Sequence, residues 1–358
     1  VTRATLNVGI IGGGRITDMH VPGYRQSRLA RIHAVCDVRP DVAERRAREW
    51  GTERAYTDYR DLLADPAIDA VEIITPHHLH RDICVAACEA GKHVSVQKPM
   101  ALSVAECDDM IRAADKAGVM LKVFENFVFY PPYVKAKALI DAGAIGEPLS
   151  IRIRLGGAGK GGWKVPLSAW FWRLNEAQCG GGPTIFDDGY HKFSLAMYFL
   201  GEVESVHAWI DRSFGVIDAP GMIAWVYKRG GRVGYMDVTA SPHMTVTSPY
   251  YAVDERVEIT GSEGVMWVTR CTGQLLDEPA VILHRDGVTR AFEDVRTDWL
   301  DSFTDSTLHF HRCLVEGGEP MLSGQRGKEV LQFALAALAS AERQAVVRPD
   351  DLGPEAVA

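Results

Sequence analysis

From residue 6 to about residue 124, short apolar runs alternate with amphipathic segments. Leu6–Ile11, Ile32–Cys36, Ala70–Ile74 and His93–Val96 are nearly continuous apolar runs, the pattern of strands covered on both faces. Between them Asp41–Trp50, Leu79–Ala90 and Val104–Ala117 carry apolar residues at helical spacing. Ser103 with Glu106 three residues on is a capping-box signature, and Gly118 is a helix stop. Val119–Phe124 reads as the last strand of the series. Strands alternating with helices in this way predict a doubly wound parallel sheet.

After about residue 123 the rhythm changes. A helix over 132–142 stops at Gly143. It is followed by strand-like runs at Leu149–Leu155, Val203–Ile210, Gly221–Tyr227, Arg232–Val238, Glu255–Thr260 and Val265–Thr269. Several alternate apolar with polar residues, as in a sheet with one covered face. Gly230-Gly231 reads as a hairpin turn, and a helix over about 327–344 closes the chain. The expectation is an α/β protein. Its N-terminal domain (1–122) is built on the parallel sheet, and its C-terminal α+β domain (123–358) on a large, open-faced, mostly antiparallel sheet. The glycine-rich piece at 156–163 reads as a mobile loop near a site or a wide turn, and the tail from Arg348 as frayed or surface-lying.

Composition narrows the class. A net charge of −8 gives no general electrostatic case for nucleic acid or for an anionic membrane. No apolar run approaches the ~18–20 residues of a membrane helix. The strand at Leu6 leaves no room before it for a signal peptide, and seven scattered cysteines without a Cys-x-x-Cys predict reduced thiols in a cytoplasm. Cys84 and Cys88, four apart beside Ala86 and Ala87, read as a core face; no metal site is expected.

The first strand runs into Gly12-Gly13-Gly14-Arg15-Ile16 and then a helix; the second strand ends on Asp37. Strand, glycine turn, helix, strand and terminal acid form the dinucleotide-binding pattern of a Rossmann domain. Gly12 permits the tight turn. Gly14 lets backbone N–H groups approach a pyrophosphate, which the helix N-terminus then faces. Thr17 stands where a third glycine is usual and is small enough for close packing. A carboxylate at position 37 accepts from adenosine ribose hydroxyls and repels a 2′-phosphate, which favours NAD over NADP. Arg39 is either a solvated loop cation or a residue that reaches the adenosine.

Three further segments carry chemistry: Thr75-Pro76-His77-His78-Leu79-His80, the Gln97-Lys98-Pro99 that ends a strand, and the Asp187-Asp188-Gly189-Tyr190-His191 that follows a glycine triplet. With the glycine turn and Asp37, these segments resemble the Gfo/Idh/MocA oxidoreductases, a family of inositol, glucose and glycoside dehydrogenases, over essentially the whole chain. The resemblance implies a Rossmann domain followed by an α/β domain with an open sheet through which such proteins pair as dimers or tetramers. It makes Lys98 and His191 the proton-handling pair beside the nicotinamide, puts Asp187 with them, and places Thr75, Pro76, His77, His80 and Gln97 around the cofactor. Two positions depart from the pattern. Gln97 replaces the usual Glu, which removes a carboxylate beside the lysine. One extra residue lies between the glycine triplet and Asp187, so that either Gly182 is displaced or the turn is longer.

The residue types suit oxidation of a secondary alcohol. A neutral imidazole accepts a hydroxyl proton near pH 7, an ammonium stabilises developing alkoxide charge, and a carboxylate orients the imidazole or a neighbouring hydroxyl. Either Asp187 or Asp188 could face the site. Lys192 reads as a solvent-facing lysine. Trp163, Trp170 and Trp172, with Lys164 and Arg173, are candidates for stacking on and bonding to a sugar ring, or for core packing. Asn126, Tyr130 and His243 are further substrate candidates. The expected activity is NAD-dependent oxidation of a sugar, glycoside or cyclitol. Two alternatives are a retained NAD that oxidises a glycoside transiently for elimination or epimerisation, and a non-catalytic NAD-binding regulator.

Overall fold

The computed structural model describes residues 5–212 and 217–357. The chain divides into two compact units. The first takes the residues up to Asn126 together with Phe303–Leu331 and Pro354–Val357; the second takes Phe127–Ser302 and Gln332–Gly353.

The first unit runs β1 (Leu6–Ile11), α1 (Thr17–Gln26), β2 (Ala30–Cys36), α2 (Pro40–Trp50), β3 (Arg54–Tyr56), α3 (Tyr59–Ala64), β4 (Ala70–Ile73), α4 (His80–Glu89), β5 (His93–Gln97), α5 (Val104–Ala117) and β6 (Leu121–Phe124). Its six strands are ordered β3-β2-β1-β4-β5-β6, and every adjacent pair is parallel. The order reverses between β1 and β4, the switch point at which open parallel sheets bind ligands beyond the carboxyl ends of their strands. The capping box at α5 forms in a shifted version. Ser103 Oγ accepts from the Glu106 N–H at 3.2 Å, and Glu106 Oε2 accepts from the Leu102 N–H at 2.8 Å. Gly118 takes the left-handed conformation that ends the helix.

The second unit contains α6 (Pro131–Asp141), β7 (Pro148–Lys160), α7 (Leu167–Arg173), α8 (Glu176–Cys179), α9 (Gly189–Leu200), β8 (Val203–Ile210), β9 (Gly221–Tyr227), β10 (Val233–Thr245), β11 (Val253–Gly261), β12 (Gly264–Val268), β13 (Val281–Arg285) and β14 (Val288–Phe292). Two long helices, α10 (Trp299–Glu316) and α11 (Gly324–Arg343), each contribute to both units. The eight strands are ordered β14-β13-β12-β11-β7-β10-β9-β8, antiparallel except for β7 with β10. One face is buried through Ile151, Ile153, Ile223, Trp225, Met236 and Ile259. Phe333 of α11 lies edge-on to Trp225, with ring centres 5.2 Å apart. The opposite face exposes Trp209, Met222, Val226, Val233 and Tyr235.

One expectation is corrected here and another narrowed. The glycines of 156–160 lie inside β7, and Gly159 marks crowding rather than mobility. A Cβ at Gly159 would lie 2.0 Å from the Pro242 carbonyl oxygen, so the neighbouring backbone passes where a side chain would be. The C-terminal tail lies largely exposed on the surface but is not frayed: Val104 and Ala105 N–H groups donate to the carbonyls of Ala356 and Pro354, and just before the tail Val347 pairs with Val206. Its last residue, Ala358, lies outside the described residues, as do residues 1–4 of the N-terminal reading.

Gly234 on β10 pairs directly with Trp225 on β9, and a Cβ there would fall 2.3 Å from the indole. Gly234→Val should therefore lower stability by about 1–3 kcal/mol through overpacking. Urea unfolding followed by Trp fluorescence measures this, and an unchanged midpoint would contradict the packing.

Candidate active site

The turn after β1 is crowded on one side and open on the other. Gly12 has φ +107°, and a Cβ there would lie 2.1 Å from the Ile74 carbonyl oxygen; its N–H donates to the Cys36 carbonyl at 2.8 Å. A Cβ at Gly13 would meet Val42 at 2.8 Å. A Cβ at Gly14 would meet nothing within 4 Å. Gly14 opens on a groove of about 520 Å³ whose walls include Gly13, Arg15, Asp37 and Arg39. Thr17 is fully buried, and its hydroxyl donates to the Gly12 carbonyl at 3.0 Å, which ties the start of α1 to the turn.

Asp37 holds this loop as well as ending β2. Its Oδ2 accepts from the Gly13 N–H at 2.9 Å, and its Oδ1 from the Arg39 N–H at 3.0 Å. The exposed Arg39 guanidinium pairs with Asp41 at 2.9 Å. Arg46 carried no signal in the sequence, yet it clamps the turn from α2. Its Nε donates to the Gly13 carbonyl at 3.0 Å and its Nη2 to the Gly14 carbonyl at 3.3 Å, while Nη1 holds Asp18 at 2.6 Å. Both peptide planes of the turn are thereby fixed. A glycine turn with its open side on a groove at a helix N-terminus, and an acid at the next strand tip, fits the pyrophosphate and ribose of a dinucleotide.

The other loops at this carboxyl edge carry the remaining candidates of the first unit. Thr75 and Pro76 follow β4, Lys98 follows β5, and the nearly fully buried Asn126 follows β6. His77 is also buried. His80 does not offer a free nitrogen to a ligand. Its ring is fully buried, with Nε2 on the Thr75 carbonyl at 3.0 Å and Nδ1 on the Pro99 carbonyl at 2.9 Å. It packs between the Thr-Pro and Lys-Pro loops; burial lowers its pKa to about 4, and the neutral ring has one N–H and so donates to one of the two carbonyls. Gln97 Oε1 accepts the Lys98 backbone N–H at 2.8 Å. Among the described residues, no group of three or more His, Cys, Asp or Glu side chains could hold a metal ion.

In the second unit the turn after the glycine triplet is wider than an α-turn. Pro183–Asp188 forms a π-helical turn, and α9 begins at Gly189. Asp218, unmarked in the sequence reading, caps it. The Asp218 carboxylate accepts from the N–H groups of Thr184 at 2.8 Å and Ile185 at 2.6 Å. Gly182, at φ +127°, leaves room for that carboxylate, which would lie 2.8 Å from a Cβ.

This turn delivers Asp187 and His191, both largely buried. Asp187 Oδ2 accepts from Arg173 Nε at 3.0 Å. The His191 ring stacks on Phe127, with centres 4.0 Å apart and planes 15° apart. Burial opposes the Arg173 charge, but Asp187 outweighs it and raises the arginine above its ordinary value. Asp188 is committed elsewhere, on Lys192 Nζ at 3.0 Å. Lys192 is not solvent-facing: it is buried between Asp188 and Glu255, the latter at 2.5 Å, above the Phe127 ring. Burial works against its charge, and the two carboxylates more than offset that, so its pKa lies above the ordinary lysine value.

The substrate candidates separate. Trp163 packs edge-on against Tyr250, Tyr251 and Trp299, and its backbone N–H donates to the Tyr250 carbonyl. The Arg173 guanidinium lies 4.4 Å over the Trp172 ring. Trp170 is half-buried on α7, and Lys164 is exposed. Tyr130 is a core residue, because its buried hydroxyl donates to the Thr297 carbonyl at 3.0 Å. His243 sits exposed on β10.

Comparison with known proteins agrees with this layout. Residues 6–125 match the model of an oxidoreductase family with an NAD-binding Rossmann fold, Gfo/Idh/MocA, and residues 133–267 match the Gfo/Idh/MocA C-terminal domain. The chain is 28% identical to myo-inositol 2-dehydrogenase of Thermotoga maritima over 97% of this chain and 99% of that one. It is 30% identical to the NAD(+)-dependent scyllo-inositol 2-dehydrogenase of Bacillus subtilis over 92% of each. The fold is that of an oxidoreductase from Agrobacterium radiobacter solved with NAD+, L-tartaric acid and magnesium, with TM-score 0.84 and 23% identity over 96% of this chain and 98% of that one. Matched in both domains, and at 30% identity along nearly its full length, the chain belongs to the Gfo/Idh/MocA family of NAD-binding oxidoreductases.

Proposed function

We propose that the protein moves a hydride between NAD and a secondary hydroxyl of a ring polyol: a sugar, glycoside or cyclitol. One observation carries this reading. The loops after β1, β2, β4, β5 and β6 bring the glycine turn, Asp37, Thr75-Pro76, Lys98 and Asn126 to a single edge of the parallel sheet, where this fold binds ligands. Relatives named inositol dehydrogenases favour a cyclic polyol. Bound NAD supplies the hydride acceptor. The chain's own residues do the rest. His191 accepts the hydroxyl proton, and Lys98 stabilises the developing alkoxide and polarises the ketone in reverse. Asp187, steadied by Arg173, holds the geometry on the substrate side. The exposed apolar face of the large sheet supports assembly as a homodimer or homotetramer. A cytoplasmic location, with its reducing conditions, suits the buried free cysteines.

The cofactor assignment predicts that kcat/KM for NAD exceeds that for NADP and that Asp37→Ala narrows the ratio. A wild-type ratio at or below one would overturn it. Lys98→Ala and His191→Ala should each lower kcat by about 10²–10⁴-fold with NAD affinity nearly unchanged. Steady-state NADH formation on myo-inositol, with NAD titrated by fluorescence quenching, separates turnover from binding, and near-normal kcat in either variant would remove that residue from the mechanism. For assembly, light scattering should give a dimeric or tetrameric mass that falls towards the monomer in Trp209→Asp with Val226→Asp. A monomeric wild type would refute the open-face interface.

A further inference from the structure

Behind Lys98, inside the first unit, lies a line of buried polar groups that the reaction scheme does not use. Gln97 Nε2 lies 3.1 Å from His20 Nε2, and His20 Nδ1 lies 3.0 Å from Glu72 Oε1. The Tyr24 hydroxyl donates to Glu72 Oε2 at 2.7 Å. His20 and Glu72 are closed off from water, and the imidazole lies between Phe124 and Phe303, with ring centres 4.1 and 5.3 Å away.

The polarity of this line can be assigned from one end to the other. The Lys98 backbone N–H can only donate, so the Gln97 atom facing it is the carbonyl oxygen. The amide nitrogen then faces His20 and can only donate in its turn, so His20 Nε2 carries the lone pair. The ring proton is therefore on Nδ1, directed at Glu72. Two hydrogen bonds, from His20 Nδ1 and from the Tyr24 hydroxyl, favour the carboxylate form of Glu72. A second proton on His20 would set two donors against each other at the Gln97 amide.

We infer that His20 and Glu72 are positioning residues for Lys98. Glu72 selects the neutral Nδ1–H tautomer of His20, His20 selects the amide orientation of Gln97, and Gln97 fixes the Lys98 peptide at the end of β5. The glutamine makes this support a fixed dipole chain that does not gain or lose a proton during turnover. The inference rests on the reading of Lys98 as a group of the active site.

Other titratable groups surround the line. Lys122 on β6 is pushed down to about 7 by burial and donates to the Ser306 carbonyl and hydroxyl at 2.8 Å. Burial pushes His311 and His309 on α10 down to about 4, and raises Tyr24 and Cys313. The decisive readout is therefore the tautomer itself, which none of these neighbours reports.

In 15N-detected spectra of the full-length protein with NAD, the His20 signals, assigned by their loss in His20→Gln, should show a protonated Nδ1 and a bare Nε2. In Gln97→Glu the ring should take up one proton from solvent and show both nitrogens protonated between two carboxylates. On turnover, His20→Phe should lower kcat about 10–100-fold with KM for NAD unchanged, as displacement of a reacting group does. His20→Gln, which can still accept from Gln97 and donate to Glu72, should recover most of that loss. A protonated Nε2 in the wild type, or equal losses in His20→Phe and His20→Gln with both variants folded, would overturn the inference. Full turnover in Lys98→Ala would instead overturn the reading of Lys98 and leave the tautomer result standing.

Discussion

Glu72 places a carboxylate in the middle of the parallel sheet, out of reach of water, and much of the first unit is arranged around that charge. An isolated carboxylate in such a place costs several kcal/mol, and removing one partner of a buried charged pair costs about 3–5 kcal/mol. The structure meets the demand with three residues from two elements. His20 and Tyr24 come from α1, one helical turn apart, and Lys122 comes from β6 on the far side of β5. Helix α1 is thus held at two places: the glycine turn and Thr17 fix its start, and the buried acid holds His20 and Tyr24 further along. A helix held in that way presents its N-terminus to the groove in one orientation.

The glycine turn follows similar logic. Gly12 and Gly13 are required by their protein neighbours, Ile74 and Val42, while the open side at Gly14 faces the groove. Arg46 donates to the Gly13 and Gly14 carbonyls and Asp37 accepts from the Gly13 N–H, so the peptide planes of the turn are set before any ligand arrives. Pre-organisation of this kind lowers the ordering cost of binding.

The second unit places its acid and imidazole by a different device. A π-helical turn accommodates one more residue than an α-turn would, and the Asp218 carboxylate secures its first N–H groups. The two adjacent acids are then divided by partner. Arg173 takes Asp187, and the buried Lys192 takes Asp188. Lys192, Glu255 and Phe127 form the floor on which the turn and the His191 ring rest.

Periodicity and local turn chemistry determined the elements of the first unit, because buried parallel strands and capped helices write their signals within a few neighbouring residues. The glycine turn, Asp37, the Lys-Pro strand end and the Asp–His spacing were legible for the same reason. The β13–β14 hairpin is marked locally too, by the Asp286-Gly287 turn, and so is the start of α10, where Asp298 accepts from the Leu300 N–H. Other features depended on residues far apart in sequence. No local pattern marks Arg46 as a clamp on Gly13 and Gly14, Asp218 as a cap more than thirty residues from its turn, or Lys192 as a buried cation. Gly159 looks flexible until Pro242 is seen against it. Which acid faces which cation, and which nitrogen of His20 holds its proton, are set by donors and acceptors that only folding brings within 3 Å or so of one another.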